Sequence, residues 1–234
     1  MSSADAGRRS SAGQRPRAVM SWSSGKDSAF ALHEVLRAGE LEVVGLLTTV
    51  SQAYARVAMH GVRRALLEAQ ARALGLPLQV VELPAPCTNA EYEARMGAWV
   101  ESARAQGITR VVFGDLFLED IRAYRERQLE GTGLEPVFPL WQRPTPALAE
   151  AMLDAGVEAT ITCMDPRVLD RSFAGRSWDR ALLAALPEGV DPCGENGEFH
   201  TFVHASPDFA APLAVRGGEV VEREGFVFAD LSPA

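Results

Sequence analysis

Six consecutive residues near the amino end, positions 23–28, combine residue types that bind phosphate: Ser-Ser-Gly-Lys-Asp-Ser. They follow an apolar run at residues 18–22 that predicts a strand, and they lead into a helical pattern at residues 27–38. A glycine in such a turn lets the backbone approach an anion, and the start of a helix directs free N–H groups and the helix dipole toward it. Serine hydroxyls and the Lys26 ammonium add donors for phosphate oxygens. The segment predicts a phosphate-binding loop, although Ser and Asp at a helix start can also act only as caps.

The spacing excludes three better-known motifs. A Walker A loop has a glycine five residues before its Gly-Lys pair and a serine or threonine after the lysine. Those two positions hold Met20 and Asp27 here. No G-x-G-x-x-G follows the first predicted strand, and the chain has no G-x-S-x-G elbow. The sequence therefore does not indicate a Walker-type NTPase, a dinucleotide-binding protein or a serine hydrolase.

Strand and helix patterns alternate in the first half of the chain. Apolar runs predict four strands, at residues 18–22, 41–47, 78–83 and 110–114. Helices are predicted between them, one with an inner face formed by Val62, Ala65, Leu66, Ala69 and Ala73, and another opened by a capping box at residues 88–91. Such alternation predicts a parallel sheet, which binds ligands at the carboxyl ends of its strands. We expect function in the turns after Trp22, Leu47 and Phe113.

The second half is less regular and predicts a smaller α+β domain. Its predicted strands lie at residues 136–140, 160–164, 199–203, 220–222 and 225–229. Helical patterns lie at residues 145–155 and 179–186, and Gly217-Gly218 and Glu224-Gly225 indicate turns. We therefore divide the chain into a disordered tail at residues 1–16, a nucleotide-binding domain at 17–131 and a second domain at 132–234.

The composition limits the class of protein. A hydrophobic fraction of 47% and a charged fraction of 23% are typical of a globular protein. The net charge of -8 disfavours a nucleic-acid partner, which needs clustered cations. The three cysteines are far apart and odd in number, which predicts a reducing, cytoplasmic location. No apolar run approaches the roughly 20 residues of a membrane helix, so we expect no membrane partner.

The six-residue segment resembles the PP-loop, S-G-G-x-D-S, of ATP pyrophosphatases in the adenine nucleotide alpha hydrolase-like superfamily. Ser24 stands where that pattern has its first glycine. Further similarity lies in Gly114-Asp115 and in the Gly-Glu-Asn-Gly-Glu run at residues 194–198. Together these segments resemble the diphthine–ammonia ligase (diphthamide synthase) branch, from about residue 17 to about residue 231. The resemblance implies an α/β fold: a Rossmann-like (HUP-type) parallel sheet with helices on both faces, plus a smaller C-terminal α+β domain.

The resemblance also implies ATP and Mg²⁺ as the ligands of the first domain. The β- and γ-phosphates would be held by Ser23, Ser24, Gly25, Lys26, Asp27 and Ser28. Asp27 would orient the metal ion, with a simple helix N-terminal carboxylate as the alternative. Thr48 and Thr49, past the second predicted strand, would lie beside adenine and ribose. Gly114 is the last candidate residue for ATP binding. Lys26, Asp27, Asp115, Glu195 and Glu198 are the candidate catalytic residues.

Contacts to the acceptor substrate would come from later segments. By resemblance, the candidates are Asp115, Tyr124, Glu195, Asn196, Gly197, Glu198 and His200. Asp115 can alternatively cap the following helix, and Asn-Gly is also a common hairpin turn. The charged residues around Tyr124 have the pattern of a solvated helix face. A histidine such as His60 or His200 is, taken alone, more often structural.

The implied reaction cleaves ATP to AMP and pyrophosphate, adenylates a carboxylate and converts it to an amide with ammonia or an amine. In the family the carboxylate belongs to diphthine on elongation factor 2; a different acceptor stays open for this chain. One alternative is a tRNA-modifying thiolase that uses Cys163 and Cys193, and another is an ATP-binding regulator without turnover. The sequence is also compatible with a homodimer.

Overall fold

A computed structural model describes residues 15–52, 56–57 and 61–234. The tail predicted at residues 1–16 lies outside the described residues except for its last two positions, and so does His60. A five-stranded parallel sheet forms the first half, in the spatial order β4-β2-β1-β5-β6. Its strands are β1 (Arg17–Ser21), β2 (Glu42–Ser51), β4 (Leu78–Leu83), β5 (Ile108–Val112) and β6 (Glu135–Val137), and the two-residue β3 (Arg56–Val57) pairs antiparallel with the end of β2.

Four helices connect the strands of this sheet: α1 (Lys26–Ala38), α2 (Arg64–Leu74), α3 (Asn89–Ala105) and α4 (Glu119–Leu129). The strand order changes direction at β1, because β2 and β4 lie on one side of it and β5 and β6 on the other. Chains leaving β1 and β5 therefore diverge, which opens a crevice at the carboxyl ends of these strands. The Rossmann-like fold is confirmed.

The second half contains an antiparallel sheet built around β7 (Glu158–Met164). The other elements are α5 (Thr145–Asp154), β8 (Ser177–Trp178), α6 (Arg180–Ala185), β9 (Phe199–Ala205), β10 (Val215–Arg223) and β11 (Phe226–Pro233), with a 3₁₀ turn at Arg171–Phe173. Strand β9 pairs along the length of β7, whereas β8 and β11 pair with its two ends. The α+β character predicted for this half is confirmed.

The two sheets share one hydrophobic core. A continuous cluster of buried side chains runs from Met20 on β1 through Leu32 on α1 to Phe202 on β9. A smaller cluster, which includes Trp99 and Phe113, fills the space between the opposite face of the first sheet and helices α3 and α4. Packing of β9 against α1 places the second half directly over the phosphate-loop segment.

Two predicted elements of the first half differ from the structure. Strand β2 continues to Ser51, so Thr48 and Thr49 lie inside it and pair with β4, because the Thr-Thr-Val sequence suits a strand as well as the apolar run before it. The predicted inner face of helix α2 is confirmed at Val62 and Leu66 but not at Ala65, which is exposed. Leu67 and Gln70, which the pattern does not include, are buried as well.

The second half also contains two differences. The strand predicted at residues 136–140 is β6, which pairs with β5 and so extends the first sheet rather than the second. Residues Gly217-Gly218 form a register shift within β10, and the hairpin turn lies at Glu224-Gly225, where both residues have positive φ. The exact limits of the two domains stay a prediction. Within the described ranges, no helix has the length and apolarity needed to span a bilayer.

Candidate functional site

A cavity of about 500 Å³ lies at the carboxyl ends of β1, β2 and β5. Helices α3 and α4 form one wall, and the segment leading into β9 forms another. The structure brings most of the predicted site residues to this cavity: Ser23, Lys26, Asp27, Ser28, Thr48, Thr49, Gly114, Asp115, Tyr124, Glu195 and His200. Residues from the two ends of the sequence therefore meet at one place, as a site between the two sheets requires.

The phosphate-loop segment is a tight turn between β1 and α1. Ser24 is buried and has a φ of 73°, although it is not a glycine. The hydroxyl of Ser28 donates to the Gly25 carbonyl at 2.9 Å, and the Ser23 and Ser28 hydroxyls lie 3.1 Å apart. Ser23 and Ser28 therefore present hydroxyls to the cavity, whereas Ser24 and Gly25 shape the backbone behind them.

Position 114 needs a glycine because its backbone lies too close to the first turn of α1 to leave room for a side chain. A Cβ atom at this position would lie 2.9 Å from the carbonyl carbon of Asp27 and 2.9 Å from the amide nitrogen of Ser28. Real Cβ atoms do not approach backbone so closely, so any other residue would push the turn and the helix apart. The Gly-Asp turn after β5 thus packs directly against the backbone of the first turn of α1.

Lys26 points its ammonium toward the second sheet. Its residue is 1% exposed, and Nζ donates to both carboxylate oxygens of Asp27, at 3.0 and 2.9 Å, and to the carbonyl of Cys193. The rings of Trp178 and Phe199 lie 5.6 and 5.5 Å away, close enough for cation–π attraction. Burial by itself lowers the pKa of Lys26, but the Asp27 carboxylate and neighbouring groups outweigh it and raise the pKa. The ammonium stays charged and binds a loop of its own chain.

Two acidic residues of the first sheet face the cavity. Burial raises the pKa of Asp27, although the adjacent Lys26 ammonium opposes this shift. Burial also raises the pKa of Asp115, whose Oδ2 lies 3.5 Å from the guanidinium of Arg125. Arg125 in turn stacks over the Phe113 ring at 5.0 Å. Both carboxyl groups are therefore easier to protonate than exposed ones.

Glu195 connects the second sheet to the end of β5. Its Oε1 accepts a hydrogen bond of 2.7 Å from the amide of Leu116, and its own amide donates to Asp191 at 2.9 Å. Burial raises the pKa of Glu195 to about 7, with the Asp27 and Asp115 carboxylates adding to the shift and the Leu116 bond and Lys26 opposing it. A carboxyl group that titrates near neutrality beside a cavity is suited to proton transfer.

In the Gly-Glu-Asn-Gly-Glu run, Gly194 lines the cavity together with Glu195, but the last three residues do not. Glu198 is buried, and its Oε1 accepts from the Asp191 amide at 3.1 Å and from Asn196 Nδ2 at 3.0 Å. Its second oxygen has no hydrogen-bond partner among the described residues. Asn196 and Gly197 form the turn outside. The structure therefore places Glu195 at the cavity and gives Glu198 contacts that shape the loop.

The remaining predicted contacts lie on the cavity walls. Thr48 is buried at the carboxyl-terminal half of β2, and Tyr124 lies opposite on α4, beside Tyr92. Burial lowers the pKa of His200 to about 4, helped by the nearby Lys26 charge, so its imidazole is neutral at physiological pH. His200 can therefore exchange hydrogen bonds there but does not add a positive charge.

Several residues of the site have no motif in the sequence. Gln70 hydrogen-bonds the phosphate loop from α2, and the Thr201 hydroxyl accepts the Lys26 backbone N–H at 3.2 Å. Arg125 belongs to a charge pattern that predicts only a solvated face, yet it pairs with Asp115. A polar residue within a buried helix face is a signal that could have identified Gln70. Nothing in the sequence marks Thr201.

The cysteines do not form a reactive pair. All three are free; Cys87 is exposed, and Cys163 and Cys193 are buried. Burial raises the pKa of Cys163 to about 12 and raises that of Cys193 well above its usual range. Because the thiolate is the nucleophilic form, neither buried thiol is activated for sulfur transfer.

The residues present fit ATP and a magnesium ion. Loop hydroxyls and the start of α1 form a cradle for phosphates, and Gly114 lets the turn after β5 pack directly against the backbone of that cradle. Mg²⁺ commonly takes one or two carboxylates and completes its shell with phosphate and water. Asp27, partly exposed on the cavity wall, is such a carboxylate. No cluster of three or more acidic, His or Cys ligands occurs within the described residues.

The parallel sheet and the loop at its switch point define a nucleotide-binding protein of the PP-loop class. Comparison of sequences specifies the family. Residues 16–136 match the diphthamide synthase N-terminal domain, and residues 144–230 match the diphthamide synthase C-terminal domain. The chain belongs to the diphthamide synthase family.

Characterised relatives are similar over most of the chain. The diphthine–ammonia ligases of Bos taurus and Homo sapiens are each 26% identical to it over 234 aligned residues, covering 90% of this chain and 86% of the relative. The diphthine–ammonia ligase of Rattus norvegicus is 28% identical over 130 residues, or 53% of this chain. The similarity to the bovine and human proteins thus extends through both sheets.

Proposed function

We propose that this protein is an ATP-dependent amide ligase, which cleaves ATP to AMP and pyrophosphate and joins ammonia to a carboxylate. The observation that supports this most is the meeting of the phosphate loop with Glu195, which is held on the Leu116 amide across the cavity. The two groups come from different sheets and serve different steps. The loop binds the leaving phosphates, and Glu195 takes a proton.

In the first step, a carboxylate oxygen of the acceptor attacks the α-phosphorus, and pyrophosphate leaves. We assign to the β- and γ-phosphates the hydroxyls of Ser23 and Ser28 and the amides of Asp27 and Ser28, which follow the Thr201-bound amide at the start of α1. We assign Asp27 to the magnesium ion, which would offset the negative charge of the phosphates. The chain's contribution is orientation and charge stabilisation in a partly enclosed site.

In the second step, the ammonia nitrogen attacks the activated carbonyl carbon, and AMP leaves with the oxygen. The nitrogen must lose a proton, and Glu195 is the nearest suitable base because its pKa is close to neutrality. We assign Asp115 and Tyr124, which line the cavity, to the acceptor. The names of the relatives give diphthine as the acceptor, and we propose a diphthine-like carboxylate here.

Because all three cysteines are free thiols, we further propose that the enzyme works in the cytoplasm.

The products formed from ATP test this proposal. The protein should be incubated with ATP, Mg²⁺, ammonium chloride and a cell extract that supplies acceptors. We expect AMP and pyrophosphate, with a mass loss of about one dalton in the acceptor as a hydroxyl is replaced by an amine. Release of ADP would contradict the proposal, and tight ATP binding without any turnover would favour a regulator.

A further inference from the structure

Ser24 has a backbone conformation that residues other than glycine rarely adopt. Its φ of 73° lies in the left-handed region, which is unfavourable for a residue with a Cβ atom. Its side chain is fully buried, and its hydroxyl has no hydrogen-bond partner among the described residues. Neither the residue type nor its side chain explains this loop shape, so contacts to the backbone must hold it.

Gln70 supplies such a contact. This residue of α2 is 0% exposed, and its amide forms three hydrogen bonds. Nε2 donates to the Ser24 carbonyl at 3.0 Å and to the Val203 carbonyl at 2.7 Å, and Oε1 accepts from the indole of Trp22 at 2.9 Å. One side chain thus joins the residue before the loop, the loop itself and strand β9.

The residue type at position 70 is unexpected from packing alone. Its neighbours on the buried face of α2 are Leu66, Leu67 and Ala71, and an apolar side chain would bury without loss of hydration. A buried amide is tolerated only when its polar atoms find partners, and both N–H groups and the oxygen of Gln70 do so. The hydrogen bonds, rather than the packing, account for a glutamine here.

These bonds determine where the next backbone N–H points. The Ser24 carbonyl accepts from Gln70 and also from the Val203 amide at 3.0 Å. In a trans peptide the carbonyl and the following N–H point in opposite directions. The Gly25 N–H therefore points away from α2 and β9, toward the Ser23 hydroxyl on the cavity wall, which accepts it at 3.3 Å.

We propose that Gln70 is a positioning residue of the ATP-binding loop: it holds the Ser24 carbonyl, keeps Ser24 left-handed and thereby directs the Gly25 N–H toward the outer phosphates. This inference rests on the proposed function for the identity of the ligand. It predicts that Gln70 and Ser24 act together, because glycine at position 24 adopts the left-handed conformation without help.

The test is a double-mutant cycle in which the dissociation constant of Mg-ATP is measured by calorimetry. Gln70→Met should weaken binding about 10- to 100-fold when residue 24 is serine, since hydrogen bonds that hold the loop are lost. In the Ser24→Gly background the same change should weaken binding by no more than about 3-fold. Equal losses in both backgrounds would overturn the proposal and reduce Gln70 to a packing residue.

Gln79→Met is the matched control. Gln79 accepts from the indole of Trp99 at 2.6 Å on the opposite face of the sheet, so this change also removes a Gln–Trp bond but does not touch the loop. We expect it to lower thermal stability. Because Trp99 lines the cavity, any effect of Gln79→Met on ATP affinity should be the same whether residue 24 is serine or is changed by Ser24→Gly. A coupling between Gln79→Met and Ser24→Gly as large as that of Gln70→Met would contradict the proposal.

A second readout does not need ATP. Hydrogen exchange of the amides at residues 23–28 should be faster in Gln70→Met than in the unmodified protein, and unchanged in Gln79→Met. If these amides exchange at the same rate in all three proteins, Gln70 does not hold the loop. Failure of the ligase reaction with normal exchange effects would instead reject only the proposed function. If Gln70→Met does not fold, the Ser24→Gly, Gln70→Met protein still decides, because a loss above about 10-fold relative to Ser24→Gly overturns the inference.

Discussion

Two loops meet at the cavity, and different kinds of interaction hold them. The loop at residues 23–25 is fixed by neutral groups: the Gln70 amide, the Thr201 hydroxyl and the Val203 backbone. The loop at residues 191–198 is fixed by groups that ionise, among them Lys26 and the carboxyl groups that bond its backbone. The first loop should keep its shape as pH changes, whereas the second should depend on protonation. Binding of ATP and the chemistry that follows should therefore respond differently to pH and mutation.

The largest effect should come from Asp27, which lies between the loops. Asp27→Ala removes the candidate magnesium carboxylate and leaves Lys26 without its carboxylate partner. We expect AMP formation to fall by at least about 1,000-fold. The control is Asp120→Ala, which makes the same Asp-to-Ala change on the exposed first turn of α4. This variant should form AMP at the normal rate. Full turnover by Asp27→Ala would show that the phosphates bind elsewhere.

Glu195→Gln should slow the reaction about 100- to 1,000-fold, because the amide cannot accept a proton. In the unmodified protein the rate should rise with pH through about 7, since the ionised form of Glu195 is the base and burial raises its pKa to that value. Rates of AMP release measured from pH 5 to 9 check both statements. If the rate of Glu195→Gln still rises with pH through about 7, the group that titrates there is not Glu195.

Lys26→Met distinguishes the two loops directly. Its ammonium is held by the Cys193 carbonyl and the Asp27 carboxylate, so kcat should fall about 10- to 100-fold while ATP affinity changes by less than about 3-fold. Lys26→Arg, which retains the charge, should recover part of the rate if the larger group fits. The opposite result, weaker ATP binding with normal kcat, would make Lys26 a phosphate ligand.

The charged loop should also make stability depend on pH. The pKa of Glu195 is raised on folding from 4.5 to about 7, so the folded state binds this proton more tightly than the unfolded state. Its contribution to stability is then fully present below pH 4.5 and is lost as the pH rises toward 7. Thermal unfolding of Glu195→Gln should lack this decline between pH 5 and 8. If the stability of the unmodified protein and of Glu195→Gln falls equally with pH, the pKa of Glu195 is not raised on folding.

The smallest effect should be a gain at the neutral loop. Ser24→Gly relieves the left-handed strain, which stabilises the folded state by about 1–2 kcal/mol. Glycine also gives the unfolded chain more conformational entropy, which lowers stability by about 0.5–1 kcal/mol. We expect a net stabilisation of about 0.5–1 kcal/mol and a rise in Tm of about 1–4 °C. Calorimetric melting measures it, and a lower Tm would mean that the strain is not as inferred.

The sequence predicts the neutral loop and the parallel sheet well because both depend on local features. Alternating apolar runs and a Ser/Gly turn before a helix are readable within about ten residues. The boundary of β2 is less readable, since Thr48 and Thr49 become strand only through pairing with β4. The inner face of α2 is predicted only in part, because Gln70 is buried for hydrogen bonds that no periodicity records.

The charged loop is where the sequence is least informative. Its five-residue pattern identifies the family but does not separate Glu195, which faces the cavity, from Glu198, which shapes the loop. That difference depends on contacts with Leu116 and Asp191, which only the folded chain brings near. The position of Arg125 is likewise set by Asp115 and Phe113 and not by the alternating charges around it.

The hydrogen bond from the Lys26 backbone to Thr201 spans 175 residues of sequence. Two of the partners that fix the phosphate loop, Thr201 and Val203, thus leave the ribosome about 175 residues after the loop itself. A nascent chain that lacks β9 has the residues of the loop without its shape. We therefore expect that this protein acquires its full nucleotide affinity only after β9 has been synthesised, and that fragments ending before residue 199 cannot bind ATP as the full chain does.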